Sequence, residues 1–207
     1  MARKTLDCRP YERLYRTAEA QQGYFTARQA ALAGIDPRNH PYHVQAGNWV
    51  REGRGIYRLA LFPPADRPDL VAGSLWSMNR KGVAQGAFSH ETALSICELS
   101  DAMPHKLHMT VPPGFRRSAP APNGLVLHRG NLDKADIESR QGYRVTTPLR
   151  TLADLAQEGR FPPDLLRQAV REAVDRGLLR LSAVRRAVHL PAETRRRLEK
   201  LISEAGS

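Results

Sequence analysis

At 207 residues with 41% hydrophobic side chains, the chain is long enough for one or two packed domains, and wholesale disorder is excluded. Its 32 basic against 21 acidic side chains give a net charge of +11, with a pI near 10.3. Such a field selects polyanionic partners, nucleic acid first and an anionic membrane surface second. No apolar run approaches a membrane span and no signal-peptide core opens the chain, so a cytoplasmic protein with no membrane partner is expected.

The basic excess is spread along the chain. Residues 1–62 carry ten basic against five acidic side chains, and residues 63–207 carry 22 against 16. Cys8 and Cys97 lie far apart and form no metal-ligand spacing, and Cys97 sits among apolar residues as a buried thiol would.

After a short basic lead, Pro10 fits a first helical turn, Tyr11, Leu14, Tyr15 and Ala18 repeat at helical spacing, and Gly23 stops the helix. Thr26 and Gln29 have the spacing of a capping box, opening a short second helix that ends at Gly34. Pro41 cannot lie deep in a helix, so a third helix, His40 to Ala46, is expected with Asn39 as N-cap, Pro41 in its first turn and Gly47 as its stop. Trp49 to Leu59 then reads as a hairpin, with Trp49, Ile56, Tyr57 and Leu59 apolar, Arg51, Arg54 and Arg58 basic, and Gly53 and Gly55 supplying the turn. Three helices followed by an arginine-bearing hairpin predict a winged helix-turn-helix, whose third helix fits a major groove while the hairpin lays guanidiniums on phosphates.

Pro63, Pro64 and Pro68 mark a stiff link, so a DNA-binding domain at 1–62 and an α/β domain at 63–207 are expected. Leu70, Val71, Leu75 and Trp76 predict a helix, and Ser89 is placed to cap another from His90 to Leu99. Segments 106–111, 124–128 and 143–146 read as strands, and 118–122 as a loop. From Thr147 the pattern is helical. Thr147-Pro148 opens one helix, Pro162-Pro163-Asp164 a second, Ser182 a short third ending at Val188, and Pro191 to Ala205 the last, with Arg195, Arg196 and Arg197 facing outward. The fold class is thus α+β: an N-terminal winged helix-turn-helix, then a mixed α/β domain with a small sheet and a helical C-terminal part.

Two blocks carry a family resemblance: Gly23-Tyr24-Phe25-Thr26 through Arg54-Gly55-Ile56-Tyr57-Arg58, and Ser89-His90-Glu91-Thr92-Ala93-Leu94 with the strand ending Val111-Pro112 and the segment Thr146 to Leu155. In this order they resemble the AbiEi-type antitoxins of type IV toxin–antitoxin and abortive-infection systems. The resemblance implies a DNA-binding autorepressor of its own operon that counteracts a nucleotidyltransferase-like toxin, without requiring that the toxin be bound directly. The alternative is a winged-helix regulator whose C-terminal domain senses a ligand or partner unrelated to a toxin.

On the helix-turn-helix reading, Arg28, Arg38, Asn39, His43, Gln45 and Asn48 are the candidates to meet double-stranded DNA at the operator, since Arg pairs bidentately with guanine and short amides with adenine. Arg51, Arg54 and Arg58 are expected on phosphates or in a minor groove, and Trp49 and Tyr57 in the core. No metal and no cofactor are expected: His105 and His108 alternate faces of a strand, and no Cys or carboxylate completes a site beside them. Asp133, Asp136 and Glu138 read as a charged loop rather than a nuclease centre. No phosphate-cradling loop or nucleophile motif is present, so an enzyme is not expected.

Overall fold

The structure, a computed structural model, describes residues 9–99 and 104–205; Cys8 and the basic lead lie outside them. Helices and two sheets combine in an α+β chain that divides into two compact units. The first runs to Gln85 and adds Arg116–Pro122 and Ser139–Tyr143; the second is built from Gly86–Phe115, Asn123–Glu138 and Arg144 onward.

In the first unit, α1 (Arg9–Glu19) buries Leu14 and Ala18. Strand β1 (Tyr24–Thr26) leads directly into α2 (Ala27–Ala33). The expected capping box is formed: Thr26 Oγ1 accepts from Gln29 N at 3.2 Å, and the Gln29 side chain accepts from Thr26 N at 2.8 Å. Gly34 ends α2 at φ 102°, a left-handed conformation that glycine adopts without a Cβ penalty. A 3₁₀ turn (Pro37–Asn39) precedes α3 (His40–Gln45), where Asn39 occupies the N-cap position but makes no side-chain cap bond. Strands β2 (Trp49–Gly53) and β3 (Ile56–Leu59) form the hairpin, with a bulge between Arg51 and Gly53.

The sheet order is β1-β3-β2, all antiparallel, and Phe25 pairs with Tyr57 across β1 and β3. Three helices with this small sheet make a winged-helix arrangement. Its core joins Leu14, Phe25, Ala30, Ile35 and Trp49, and Phe25 and Trp49 meet edge to face at 4.9 Å. Helix α4 (Pro68–Trp76) buries Leu70, Val71, Leu75 and Trp76 and lies against β1 and β3. The first unit therefore continues past the proline-rich segment at which the sequence suggests a boundary. The prolines stiffen a connection within a unit, because the sheet needs α4 as a cover.

Apart from Ser139–Tyr143, the end of β7 and the start of β8, a five-stranded sheet falls in the second unit, order β6-β5-β4-β8-β7, with β4 (Ala87–Phe88), β5 (Leu107–Val111), β6 (Leu125–Arg129), β7 (Ile137–Arg140) and β8 (Tyr143–Thr146). Pairing is parallel between β5 and β6 and between β4 and β8, and antiparallel between β4 and β5. Helix α5 (His90–Ile96) follows β4. Helices α6 (Pro148–Glu158), α7 (Pro163–Asp175), α8 (Leu181–Arg186) and α9 (Ala192–Ala205) complete the unit. Leu152, Leu155, Leu166, Val170 and Leu198 anchor its apolar core, with Cys97 buried among them.

Several expectations change here. Helix α8 begins at Leu181 with Arg180 at the cap position, so Ser182 is inside the helix and caps nothing. Arg197 does not face open solvent alone; it donates to Ala156 O at 2.6 Å. Asp136 does not belong to a solvated loop. It is 3% exposed, accepts from Asp133 N at 3.0 Å and from Arg150 Nη1 at 3.3 Å, and lies 2.9 Å from His189 Nε2. Among the described residues, no helix is long and apolar enough to cross a membrane.

Candidate nucleic-acid interface

The hairpin tip and the start of α2 are tied together, because Ala27 N donates to Gly55 O at 2.9 Å. Gly55 turns at φ 72°, which closes the hairpin and brings its carbonyl to that donor. The result is a cleft of about 290 Å³ lined by Arg28 of α2, Arg54 of the hairpin, Arg80, and Arg117, together with Gln29 and Asn79. Arg117 is positioned by a bond from Nη1 to Met78 O at 2.9 Å. Arg28, Arg51, Arg54 and Arg80 are exposed and, among the described residues, have no acidic partner. Unneutralised guanidiniums around one cleft are what a phosphate backbone binds: each contact releases condensed counterions, and the planar fork can grip a phosphate bidentately.

The nine residues singled out in the sequence separate into three groups. Arg28, Asn39, Gln45, Asn48, Arg51 and Arg54 are exposed. Arg38 and Arg58 are already paired. Arg38 chelates Asp36 through Nε and Nη2, the latter at 2.7 Å, and this contact holds the Asp36 carboxyl down at about 2. Arg58 donates from Nε to Glu52 at 2.9 Å across the hairpin. His43, expected to face a base edge, is a core residue instead. It is 5% exposed, stacks on Trp49 with ring centroids 4.5 Å apart, and accepts at Nδ1 from Asn48 Nδ2 at 3.4 Å. Burial, and then the charge of His40, push its pKa down. The physical reason is helix phase. On a helix of six residues only one side faces the sheet, and both His40 and His43 lie on that side.

Helix α3 therefore presents Tyr42 and Gln45, with Asn39 before it and Asn48 after it, as its outward polar set. Sequence reasoning missed Arg80 and Arg117, both beyond the expected boundary. The cue was present as the basic pairs Arg80-Lys81 and Arg116-Arg117 beside glycine- and proline-rich turns, but nothing local connects them to Arg28.

Residues 12–60 match a family of transcriptional regulators, the AbiEi antitoxins. The match covers the winged-helix segment from α1 through β3, and it bears out there the resemblance read in the residues. In fold, the chain is similar to the RV2827C protein from Mycobacterium tuberculosis, known from a crystal structure: TM-score 0.59, 15% identity, covering 96% of this chain and 78% of that one. At that identity the likeness concerns fold alone. No curated protein matches the chain. The AbiEi-like segment contributes Arg28 and Arg54 to the cleft; Arg80 and Arg117 come from outside it.

Proposed function

We propose that the protein is a DNA-binding transcriptional regulator, an antitoxin that represses its own operon. The observation that carries this reading is the cleft of exposed arginines at the junction of α2 and the hairpin, in a unit whose short helix α3 turns amides and a tyrosine outward. The cations would hold the duplex by its phosphates, and Gln45, Asn48 and Asn39 would supply base contacts. The regulator and antitoxin parts of the proposal draw on the family matched by residues 12–60. Counteraction of a nucleotidyltransferase-like toxin follows from the same resemblance. No enzymatic step is part of this reading.

A mobility-shift titration of the full chain tests it, using the DNA upstream of its own gene and an unrelated duplex of equal length. Tighter binding to the upstream DNA by a factor of roughly 10³ or more at physiological salt is expected of an operator. Equal affinity for both duplexes would contradict sequence-specific repression. Coexpression with the neighbouring toxin gene tests the antitoxic part, where growth rescue is the expected result.

A further inference from the structure

The histidines that the sequence leaves unassigned converge in the second unit. His90 opens α5 after β4, His108 lies on β5, and His128 lies on β6. The parallel register pairs His108 with Val126 and Thr110 with His128, so the two histidines occupy diagonal positions on one sheet face. The rings of His90 and His128 stack with centroids 3.6 Å apart and planes 15° apart. Glu158, the last residue of α6, brings Oε1 to 3.0 Å from His128 Nδ1 and 3.5 Å from His90 Nε2. One nitrogen from each histidine and one oxygen from Glu158 all lie within 4.8 Å of one another.

We propose that His90, His128 and Glu158 bind one divalent transition-metal ion of the zinc class. Bonds of about 2.0–2.1 Å in a tetrahedron place neighbouring donors roughly 3.3 Å apart, and the two nitrogen–oxygen separations, 3.0 and 3.5 Å, fall on either side of that. Imidazole with carboxylate is a donor set that suits zinc rather than magnesium or calcium, which take oxygen. Two imidazoles and a carboxylate leave a fourth position for water.

The far side of each ring is already held. His90 Nδ1 lies 2.9 Å from Ser89 Oγ, which also accepts from Thr110 Oγ1 at 2.8 Å. His128 Nε2 lies 2.9 Å from His108 Nδ1. Outer partners of this kind fix the tautomer; because the two rings stack, binding one ion requires them to turn until both in-plane lone pairs meet it. The outer partners also explain why Ser89, in the N-cap position of α5, makes no cap bond: its hydroxyl is committed to His90 and Thr110. Glu91, 3.9 Å from His108 Nε2, adds a second negative charge near the group. Arg150 adds a positive one, but Asp136 at 3.3 Å and Asp154 at 2.9 Å compensate it. His90 also has φ 54°, an uncommon backbone for a residue with a Cβ, and one that recurs where a side chain is held for a purpose.

The test uses the full chain without a histidine tag, stripped with chelator. Titration with Co²⁺, read by its visible d–d absorption, and then displacement by Zn²⁺ should show one equivalent bound. His128→Gln and Glu158→Gln should each weaken binding by roughly tenfold or more, while His105→Gln, an exposed histidine outside the cluster, should leave it unchanged. Glu158 is exposed, so its variant keeps the fold and reports on the site alone. No binding at micromolar metal would overturn the proposal, as would unchanged binding in either cluster variant. A site that persists in both but is lost in Asp133→Asn would overturn it too, by moving the ion to Asp133, Asp136 and His189.

Discussion

Arginine does two different things in the two units. Around the α2–hairpin cleft, Arg28, Arg54 and Arg80 stand exposed and, among the described residues, without acidic partners. In the second unit several guanidiniums are turned onto the protein, although Arg160, Arg171, Arg180, Arg186 and Arg196 stand exposed there as well. Arg129 donates to Pro113 O and Phe115 O, Arg176 to Cys97 O and Glu98 O, Arg197 to Ala156 O, and Arg150 bridges Asp136 and Asp154. At Phe115, Cys97, Ala156, Asp136 and Asp154 these side chains satisfy acceptors of buried residues. Net charge per segment, nearly equal for 1–62 and 63–207, does not distinguish the two uses. Only the partner of each guanidinium does.

Breaking the inward use should have the largest effect. Arg150→Ala leaves Asp136, 3% exposed, and Asp154, 7% exposed, without their cation; a loss of about 3–5 kcal/mol in denaturant unfolding is expected. Asp154 gives the same comparison a pH dependence. Burial, outweighing Arg150, raises its carboxyl to about 6. The folded state therefore holds a proton that the unfolded chain has released, so this group favours folding below pH 4 and loses that contribution as pH rises to 6. Asp154→Asn should flatten the stability profile between about pH 4 and 7, by up to roughly 3 kcal/mol relative to wild type. Parallel profiles for the two proteins would show that the carboxyl is not raised.

On the outward side, Gln45→Ala and Asn48→Ala should each cost about 1–3 kcal/mol in binding to the operator and little to random DNA, measured by competition titration. His43→Ala should instead lower stability and weaken both duplexes alike, because its ring packs on Trp49. Thr26→Ala should destabilise the first unit by about 1 kcal/mol through loss of the capping box, read as a shifted unfolding midpoint. The smallest effect is expected for Arg58→Ala, whose guanidinium is occupied by Glu52: less than about 1 kcal/mol in stability, and a smaller change in DNA binding than Arg54→Ala.

What the sequence made legible was local. Thr26 with Gln29, Gly34, Pro41 in a first turn and Thr147-Pro148 each act within one helical turn, and each element start they imply is present. What it hid depends on distant partners. Strand β1 is three residues long and exists because Tyr24, Phe25 and Thr26 meet Arg58, Tyr57 and Ile56; no periodicity can show in so short a run. Strand β4, two residues long, escaped for the same reason, and β7 is hidden because Glu138 reads with Asp133 and Asp136 as a charged loop. The inward phase of α3 depends on Trp49 and the sheet, so His43 looked as available as Gln45. The histidine cluster needed the parallel register of β5 and β6, and Asp136 needed Arg150 and His189. His105 lies before β5 rather than on it, so strand alternation does not relate it to His108.

The central claim, that the unpaired arginines of the α2–hairpin cleft are what grips the duplex, is tested most directly by salt dependence. Binding of the upstream DNA should be measured across a range of salt for the wild type, for Arg28→Ala/Arg54→Ala/Arg80→Ala, and for Arg129→Ala/Arg176→Ala. The account predicts that the first variant lowers the slope of log K against log salt by roughly 0.9 per lost phosphate contact, close to three in all, while the second leaves the slope at the wild-type value. An unchanged slope in the first variant, or an equal drop in both, would contradict it.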